Sequence, residues 1–435
     1  MRLTLILTVS MLTVTGAGAQ WLEVIVPADS QPVMLCHNTQ DDYVYCANWG
    51  GDNVTVIDGA TNAVVTTITV GEEPHAIRYN PTNNKVFCFN ERSRTVSIID
   101  GASNTVVATE SLRTRPWDAV YNPANDRFYV LGHNPNVVVV LNGATYVIET
   151  TLAFDEDPYG VCYDSTDDRV YVATRADSTV WAIDCATNTV AATIKVGPEP
   201  NKLCWNSQDD KVYTGTVDYN DSTVAVIDCA SNTVVATLAV GRYPIAVCYD
   251  PAQNRVYSAN YSDNSVSVID GATNAVIATI PLSGAPHGVR AAPMNGYVYC
   301  ARKSADSVTV IDGATGAVVA SVGVGDAPTT LLFNPQDNRV YTTDEDGATV
   351  SIMRGTIGIE ERVAVRGARR PPASIVSGIL RLPGGETATL RDLTGRRVLA
   401  LAPGNNDVRA LAPGVYFVCG TGPEQPPIQK VIIRR

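Results

Sequence analysis

Of the four histidines in the 435 residues, two, His75 and His287, directly follow a proline. An imidazole is the side chain best matched to proton transfer near neutral pH. Six further prolines occupy matching places, and the residues after all eight are Val33, His75, Trp117, Tyr159, Asn201, Ile245, His287 and Thr329. Aromatic rings, imidazoles and an amide at equivalent positions can stack against a sugar ring or an apolar side chain and hydrogen-bond to its edges. They can equally do no more than plug the mouth of a channel. The stretch TVDYNDST, Thr216 to Thr223, adds Tyr219 on a longer loop, and Trp49, Tyr243 and Tyr261 fall in comparable loops. The candidate binding residues are therefore His75, Trp117, Tyr159, Asn201, Tyr219 and His287.

Other chemistry is weakly represented. The chain contains no GxSxG, P-loop, HExxH or CxxC motif and no compelling Ser/His/Asp set. His75 and His287 lie in distant copies of the pattern without an evident third ligand, so no histidine metal site is expected. DEDGATV, Asp344 to Val350, opens like a calcium loop but lacks the closing glutamate, and turn chemistry explains it better. The ten cysteines follow the register of the repeat. Cys36, Cys162, Cys204 and Cys248 each stand four residues after a proline, where other copies have Arg78, Val120, Arg290 and Leu332. Cys46, Cys88 and Cys300 share a second register, and Cys185 and Cys229 replace a turn glycine. Equivalent residues of different repeats lie too far apart to be bridged, so most read as small apolar thiols. Cys36 and Cys46, close in one hairpin, are the pair to test for a disulfide.

The elements that must position these residues are written in a repeat. Asp58, Asp100, Asn142, Asp184, Asp228, Asp270 and Asp312 follow one another at spacings of 42, 42, 42, 44, 42 and 42 residues, the length of one four-stranded blade. Between Pro244 and Ile280 the segments PIAVCYDP, NRVYSAN, SVSVID and NAVIATI are rich in Val, Ile, Tyr and Thr, without helical periodicity. DGATN joins the third segment to the fourth, and Gly271 is expected to supply a positive φ there. Pro81 to Asn84, Pro123 to Asp126 and Pro335 to Asn338 read as proline-initiated turns ending on a residue tolerant of the left-handed region. An Asp at this spacing is better explained as a turn residue than as a catalytic base.

The proline-led strand and the third strand each occur eight times, but the fourth follows only seven of them. WLEVIVP, Trp21 to Pro27, resembles the missing copy. Circular closure removes unpaired strand edges. The sequence therefore predicts an eight-bladed β-propeller whose last blade is completed by the first strand, with seven blades plus an irregular segment as the alternative. RVYVAT, NRVYSAN and VSVIDGATNAVIATI resemble YVTN-type β-propeller repeats over about 330 residues, a match by period. The resemblance implies architecture rather than activity, because that family spans surface proteins, binding proteins and enzymes.

Arg2, the apolar run Leu3 to Val14 and Ala17-Gly18-Ala19 have the grammar of a cleavable signal peptide over 1–19. The run is too short to span about 30 Å of hydrocarbon, and no transmembrane segment is expected in the mature chain. Residues 1–353 carry a net charge of −19 and residues 354–435 one of +7. An acidic body argues against nucleic acid as a partner. After a linker at 354–376, residues 377–435 contain short strands separated by Gly and Pro, the pattern of a small immunoglobulin-like β-sandwich. LRDLTGRRVLAL, LAPGVYFV and KVIIRR together resemble the C-terminal sorting domain of type IX secretion cargo. That resemblance implies outer-membrane secretion machinery as a partner, although Arg-Pro-Pro-Ala-Ser stands where an Asn-Pro start is usual. An accessory domain without a sorting role is the alternative.

The expectation is an all-β, secreted or cell-surface protein with its propeller over 20–353, binding an extracellular glycan or protein through its rim loops, without catalysis or cofactor. A lyase or hydrolase acting on extracellular polysaccharide, with His75 or His287 as acid/base, is the first alternative. A structural surface coat is the second.

Overall fold

The computed structural model describes residues 20–218 and 222–354, together with strands and a few neighbouring residues between 374 and 433. The chain forms two compact units, 1–355 and 356–435. Apart from a single-turn 3-10 helix at Lys303–Ala305, the regular structure described is entirely β. No helix among the described residues is long and apolar enough to cross a membrane.

The first unit is an eight-bladed propeller. Blade 6 shows its logic: Pro244–Asp250, Arg255–Asn260, Ser265–Asp270 and Ala275–Pro281 pair antiparallel in that order. The second and third strands are buried almost throughout, whereas the fourth alternates exposed and half-buried residues, with one buried residue near its end. A strand covered on both faces needs apolar residues at successive positions, hence RVYSAN and SVSVID rather than strict alternation. The fourth strand faces solvent on one side and alternates accordingly. Consecutive first strands lie side by side, and the first strand of blade 8, Pro328–Asn334, returns to that of blade 1, Pro32–Asn38. This closed ring of eight first strands surrounds the central channel.

Closure occurs as the sequence predicts. Trp21–Pro27 pairs antiparallel with Thr349–Arg354 as the outer strand of blade 8, which excludes the seven-bladed alternative. A second device ties the closure. The second strand of seven blades carries a fully buried tyrosine, after Val in six of them and after Phe128 in blade 3. Its hydroxyl typically donates to the strand-three-to-four turn of the next blade, as Tyr129 does to Asn188 Oδ1 at 2.7 Å and Tyr257 to the Gly313 carbonyl at 3.1 Å. Tyr299 faces blade 8, whose fourth strand comes from the N-terminus, and it donates instead to Gln20 Oε1 at 2.7 Å.

Turn positions explain the fixed letters, with one correction. Asp270 Oδ1 accepts from the Thr273 backbone N–H at 2.8 Å and from its hydroxyl at 2.7 Å. Asp100 does the same with Ser103 and Asp312 with Thr315. These aspartates are turn residues. Gly271, however, is not the residue with positive φ: that role falls to Asn274, at 55°. A Cβ on Gly271 would lie 2.5 Å from Asn254 Oδ1 and 2.6 Å from Asn206 Nδ2, so glycine is needed there for space. Those two side chains form a staple between blades. The last residue of one first strand donates its amide to the turn residue of the next blade: Asn38 to Asn84 (3.0 Å), Asn80 to Asp126 (2.7 Å), Asn122 to Asp168 (2.7 Å), Asn206 to Asn254 (3.0 Å) and Asn334 to Asp42 (2.8 Å). Asn84, Asp126 and Asn338 hold φ near 54°, as the proline turns require.

Nine cysteines fall among the described residues and all are free. The candidate pair Cys36 and Cys46 is ruled out by register. Leu35 stands opposite Cys46 and Cys36 opposite Tyr45, so the two thiols point to opposite faces of one sheet. Cys36 packs toward blade 2 and Cys46 toward blade 8. Burial pushes the Cys36 and Cys248 thiols up to about 12, leaving them protonated and unreactive.

In the second unit, Ser374–Val376, Gln429–Ile433, Gly414–Gly420, Ala388–Arg391 and Arg397–Leu401 form one sheet in that order, and Ile379–Leu382 pairs with Gly404–Asp407. Leu390, Leu401 and Val408 are buried.

Candidate functional site

The loop leading into each first strand and the loop between second and third strands meet on one face. Backbone hydrogen bonds join them blade after blade: Trp49 N–H to Gln31 O at 2.8 Å, Glu91 to Glu73 at 2.8 Å, Tyr261 to Tyr243 at 3.0 Å and Glu345 to Ala327 at 3.0 Å. The residues after the eight prolines therefore ring the mouth of the channel on this face.

The polar members of that ring tie blades together. His75 Nδ1 lies 2.6 Å from the carbonyl of Trp117, its counterpart in blade 3. A carbonyl has no proton to give, so Nδ1 is the donor. His287 bonds the backbone of its own counterpart, Thr329. Asn201 is 2% exposed and donates to the Ile245 carbonyl at 3.2 Å. Burial lowers both histidine pKa values, and Lys202 contributes a repulsion felt by each. Reaching blades 2 and 7 from blade 5 places Lys202 toward the channel axis. Both imidazoles are consequently neutral near pH 7, with one ring nitrogen committed to the scaffold.

The aromatic members form a ladder. His75 stacks on Trp117 with ring centroids 3.9 Å apart, and Trp117 stacks in turn on His133 at 5.2 Å and leans against Tyr159 at 5.2 Å. Arg175 caps the series, its guanidinium carbon 3.3 Å from the Tyr159 ring centre. A cation held over a ring contributes about 0.5–2 kcal/mol. Across the mouth, Tyr261 lies 6.1 Å from Tyr243 and 6.5 Å from His287. Trp117 Nε1 and Asn201 Oδ1 have no hydrogen-bond partner among the described residues. Both atoms are enclosed in the wall, and what the mouth offers is half-buried ring faces.

Charge is concentrated further along the first strands. Asp118 receives Arg78 at 2.5 Å and Lys202 at 2.8 Å. Burial alone would raise the Asp118 pKa, but Lys202 and then Arg78 hold it down at about 2. Arg290 occupies the same register as Arg78 and is solvent-accessible, and its side chain has no ion-pair or hydrogen-bond partner among the described residues. Enclosure by the protein lowers its pKa, and Arg78 adds repulsion. Three cations against one carboxylate make this part of the channel positive inside an acidic domain.

The structure brings His75, Trp117 and Tyr159 into one contiguous group, puts Asn201 in the wall and sets His287 across the mouth beside Tyr261. Tyr219 lies outside the described residues. Sequence reasoning missed Asp118, Arg175 and Lys202, and noted Arg78 and Arg290 only as replacements for cysteine. For Asp118 and Lys202 the available signal was a charge two residues after the repeat proline, where other blades carry Met34, Ala76, Gly160, Ala246, Gly288 and Thr330.

A family model described as YNCE-like beta-propeller matches residues 9–339. No curated protein matches the chain.

Proposed function

The chain belongs to the YNCE-like beta-propeller family, and from that premise we propose that it is an exported, non-enzymatic protein that binds a polymer or another protein through the mouth of its channel. One observation carries this reading: the ladder His75–Trp117–Tyr159–Arg175 presents stacked, half-buried ring faces at a single place on the rim. Ring faces of this kind suit sugar rings and flat or apolar side chains. The unpartnered Arg290, with Arg78 and Lys202, favours a ligand carrying carboxylates, and a uronate-bearing glycan satisfies both requirements. Neutral imidazoles tied to main-chain carbonyls support binding rather than acid/base catalysis by His75 or His287.

Export is part of the proposal. The signal-like residues 1–19 would carry the chain across the inner membrane, and residues 377–435 would engage outer-membrane secretion machinery to reach the cell surface or medium.

The test is a thermal-shift screen of the mature chain against neutral oligosaccharides, uronate oligosaccharides and aromatic-rich peptides. A ligand at about 100 times its dissociation constant adds roughly 2.7 kcal/mol of stability. A rise in melting temperature that Trp117→Ala abolishes is the expected result. A rise that persists unchanged in Trp117→Ala, or no rise with any member of the three classes, would overturn the reading.

A further inference from the structure

On the face opposite the rim, three side chains meet at the junction between blades 4 and 5 in a combination that the neighbouring junctions lack. Where five junctions have an asparagine amide donating to the next turn residue, this one sets Asp164 against Asp210. Neither carboxylate has a proton to donate when ionised, so the staple cannot form. The third residue of the group is Cys229, which stands where Gly59, Gly101, Gly143, Gly271 and Gly313 stand in other blades. A carboxylate oxygen from each aspartate and the Cys229 sulfur all lie within 4.8 Å of one another.

Each carboxylate commits one oxygen to a neighbouring N–H, and the Tyr171 hydroxyl bonds the Cys229 side chain. Asp164 is fully buried; its Oδ1 accepts the backbone N–H groups of Thr166 and Asp167 at 2.8 and 3.3 Å, while Oδ2 has no partner. Asp210 Oδ1 accepts from Trp205 Nε1 at 3.1 Å. The nearest cation, Arg169, directs Nη1 to Asp167 Oδ2 at 3.0 Å and to the Cys229 carbonyl at 2.6 Å, not to the free oxygen or the sulfur. Two other junctions isolate the cause. Cys185 occupies the equivalent place beside Asn122 and Asp168, where the amide staple is intact at 2.7 Å. Asp250 also ends its strand as an acid, but the turn residue of the next blade is Gly296, so no second carboxylate faces it. Among the described residues, two carboxylates and a thiol converge only at Asp164.

We propose that Asp164, Asp210 and Cys229 bind a divalent cation of the zinc class, which replaces the missing amide staple between blades 4 and 5. One sulfur and two carboxylate oxygens suit a borderline-soft ion, with zinc–sulfur distances of about 2.3 Å and zinc–oxygen distances of about 2.0–2.2 Å, and water as a fourth ligand. A thiolate ligand disfavours calcium and magnesium. The thiol proton leaves to solvent as the cation binds.

The test uses the full mature chain stripped with chelator and titrated with zinc and, separately, cadmium. The expected result is one equivalent bound, a sulfur-to-cadmium charge-transfer absorption and a higher melting temperature with zinc. Asp164→Asn and Cys229→Gly write in residues that other junctions already carry, so both variants are expected to fold. Each should weaken binding at least tenfold, and Cys229→Gly should remove the charge-transfer band. Failure of the wild-type chain to take up zinc, or affinity and absorption unchanged in both variants, would overturn the proposal. A metal-free Asp164→Asn chain that melts higher, alongside a wild-type chain that takes up no zinc, would identify the junction as a carboxyl pair sharing a proton.

Discussion

On the face that carries the strand-one-to-two and strand-three-to-four turns, Asp58, Asp100, Asp184, Asp228, Asp270 and Asp312 all make the same hydrogen bonds to a Thr or Ser three residues on. On the rim face the ring runs Val33, His75, Trp117, Tyr159, Asn201, Ile245, His287, Thr329. The first face is nearly uniform because most of its residues close a turn or staple a blade, and few side chains can substitute. The second has looser geometric demands: a histidine, an asparagine or a valine can all follow the proline. Variation there is free to follow a ligand, and His75, Trp117, Tyr159 and Arg175 gather in three neighbouring blades. Uniformity within a repeat thus reports architecture, and clustered variation reports the candidate site.

That contrast can be broken most severely at a staple. Asn80 is fully buried; it donates to Asp126 at 2.7 Å and accepts from the Thr82 backbone at 2.9 Å. Asn80→Ala removes both bonds and is expected to cost about 2–3 kcal/mol in urea denaturation, with ligand affinity unchanged. A large loss of affinity would show that the turn face is not purely architectural.

A smaller effect sharpens the contrast on the rim side. Asp344 ends a second strand where Asn48, Asn90 and Asn260 end theirs, and its Oδ2 accepts from Thr349 and Ser351 at 2.8 and 2.7 Å. Burial lifts its pKa from 3.8 to about 6 despite those bonds. The folded chain therefore holds a proton that the unfolded chain releases, and stability falls as pH climbs through the interval from 3.8 to about 6. Asp344→Asn should remove that dependence and gain about 2 kcal/mol at pH 8 relative to pH 4. An unchanged pH profile would mean that Asp344 is not buried as described.

Period, closure and turn aspartates were legible in the sequence because each is a local pattern repeated many times. The reason for Gly271 was not, because it depends on Asn254 and Asn206, which come from a neighbouring hairpin and a neighbouring blade. The ring of residues after the prolines was legible as a list. Its division into ties and ladder was not, since His75 and Trp117 occupy the same register and differ only in what each touches across the blade boundary. Arg175 over Tyr159 joins two positions of one repeat, and Lys202 on Asp118 joins one position across nonadjacent blades, contacts that a period alone does not reveal.

The most direct measurement uses the five tryptophans as reporters: Trp117 in the ladder, Trp49 in a rim loop, Trp205 bonded to Asp210 on the turn face, Trp181 and Trp21 elsewhere. Indole N–H resonances of the ¹⁵N-tryptophan-labelled chain would be followed while adding the ligand that raises the melting temperature. The account expects the Trp117 signal to move at saturation while those of Trp205 and Trp21 stay in place. Movement of the Trp205 signal with Trp117 unmoved would place the binding site on the uniform face and contradict it.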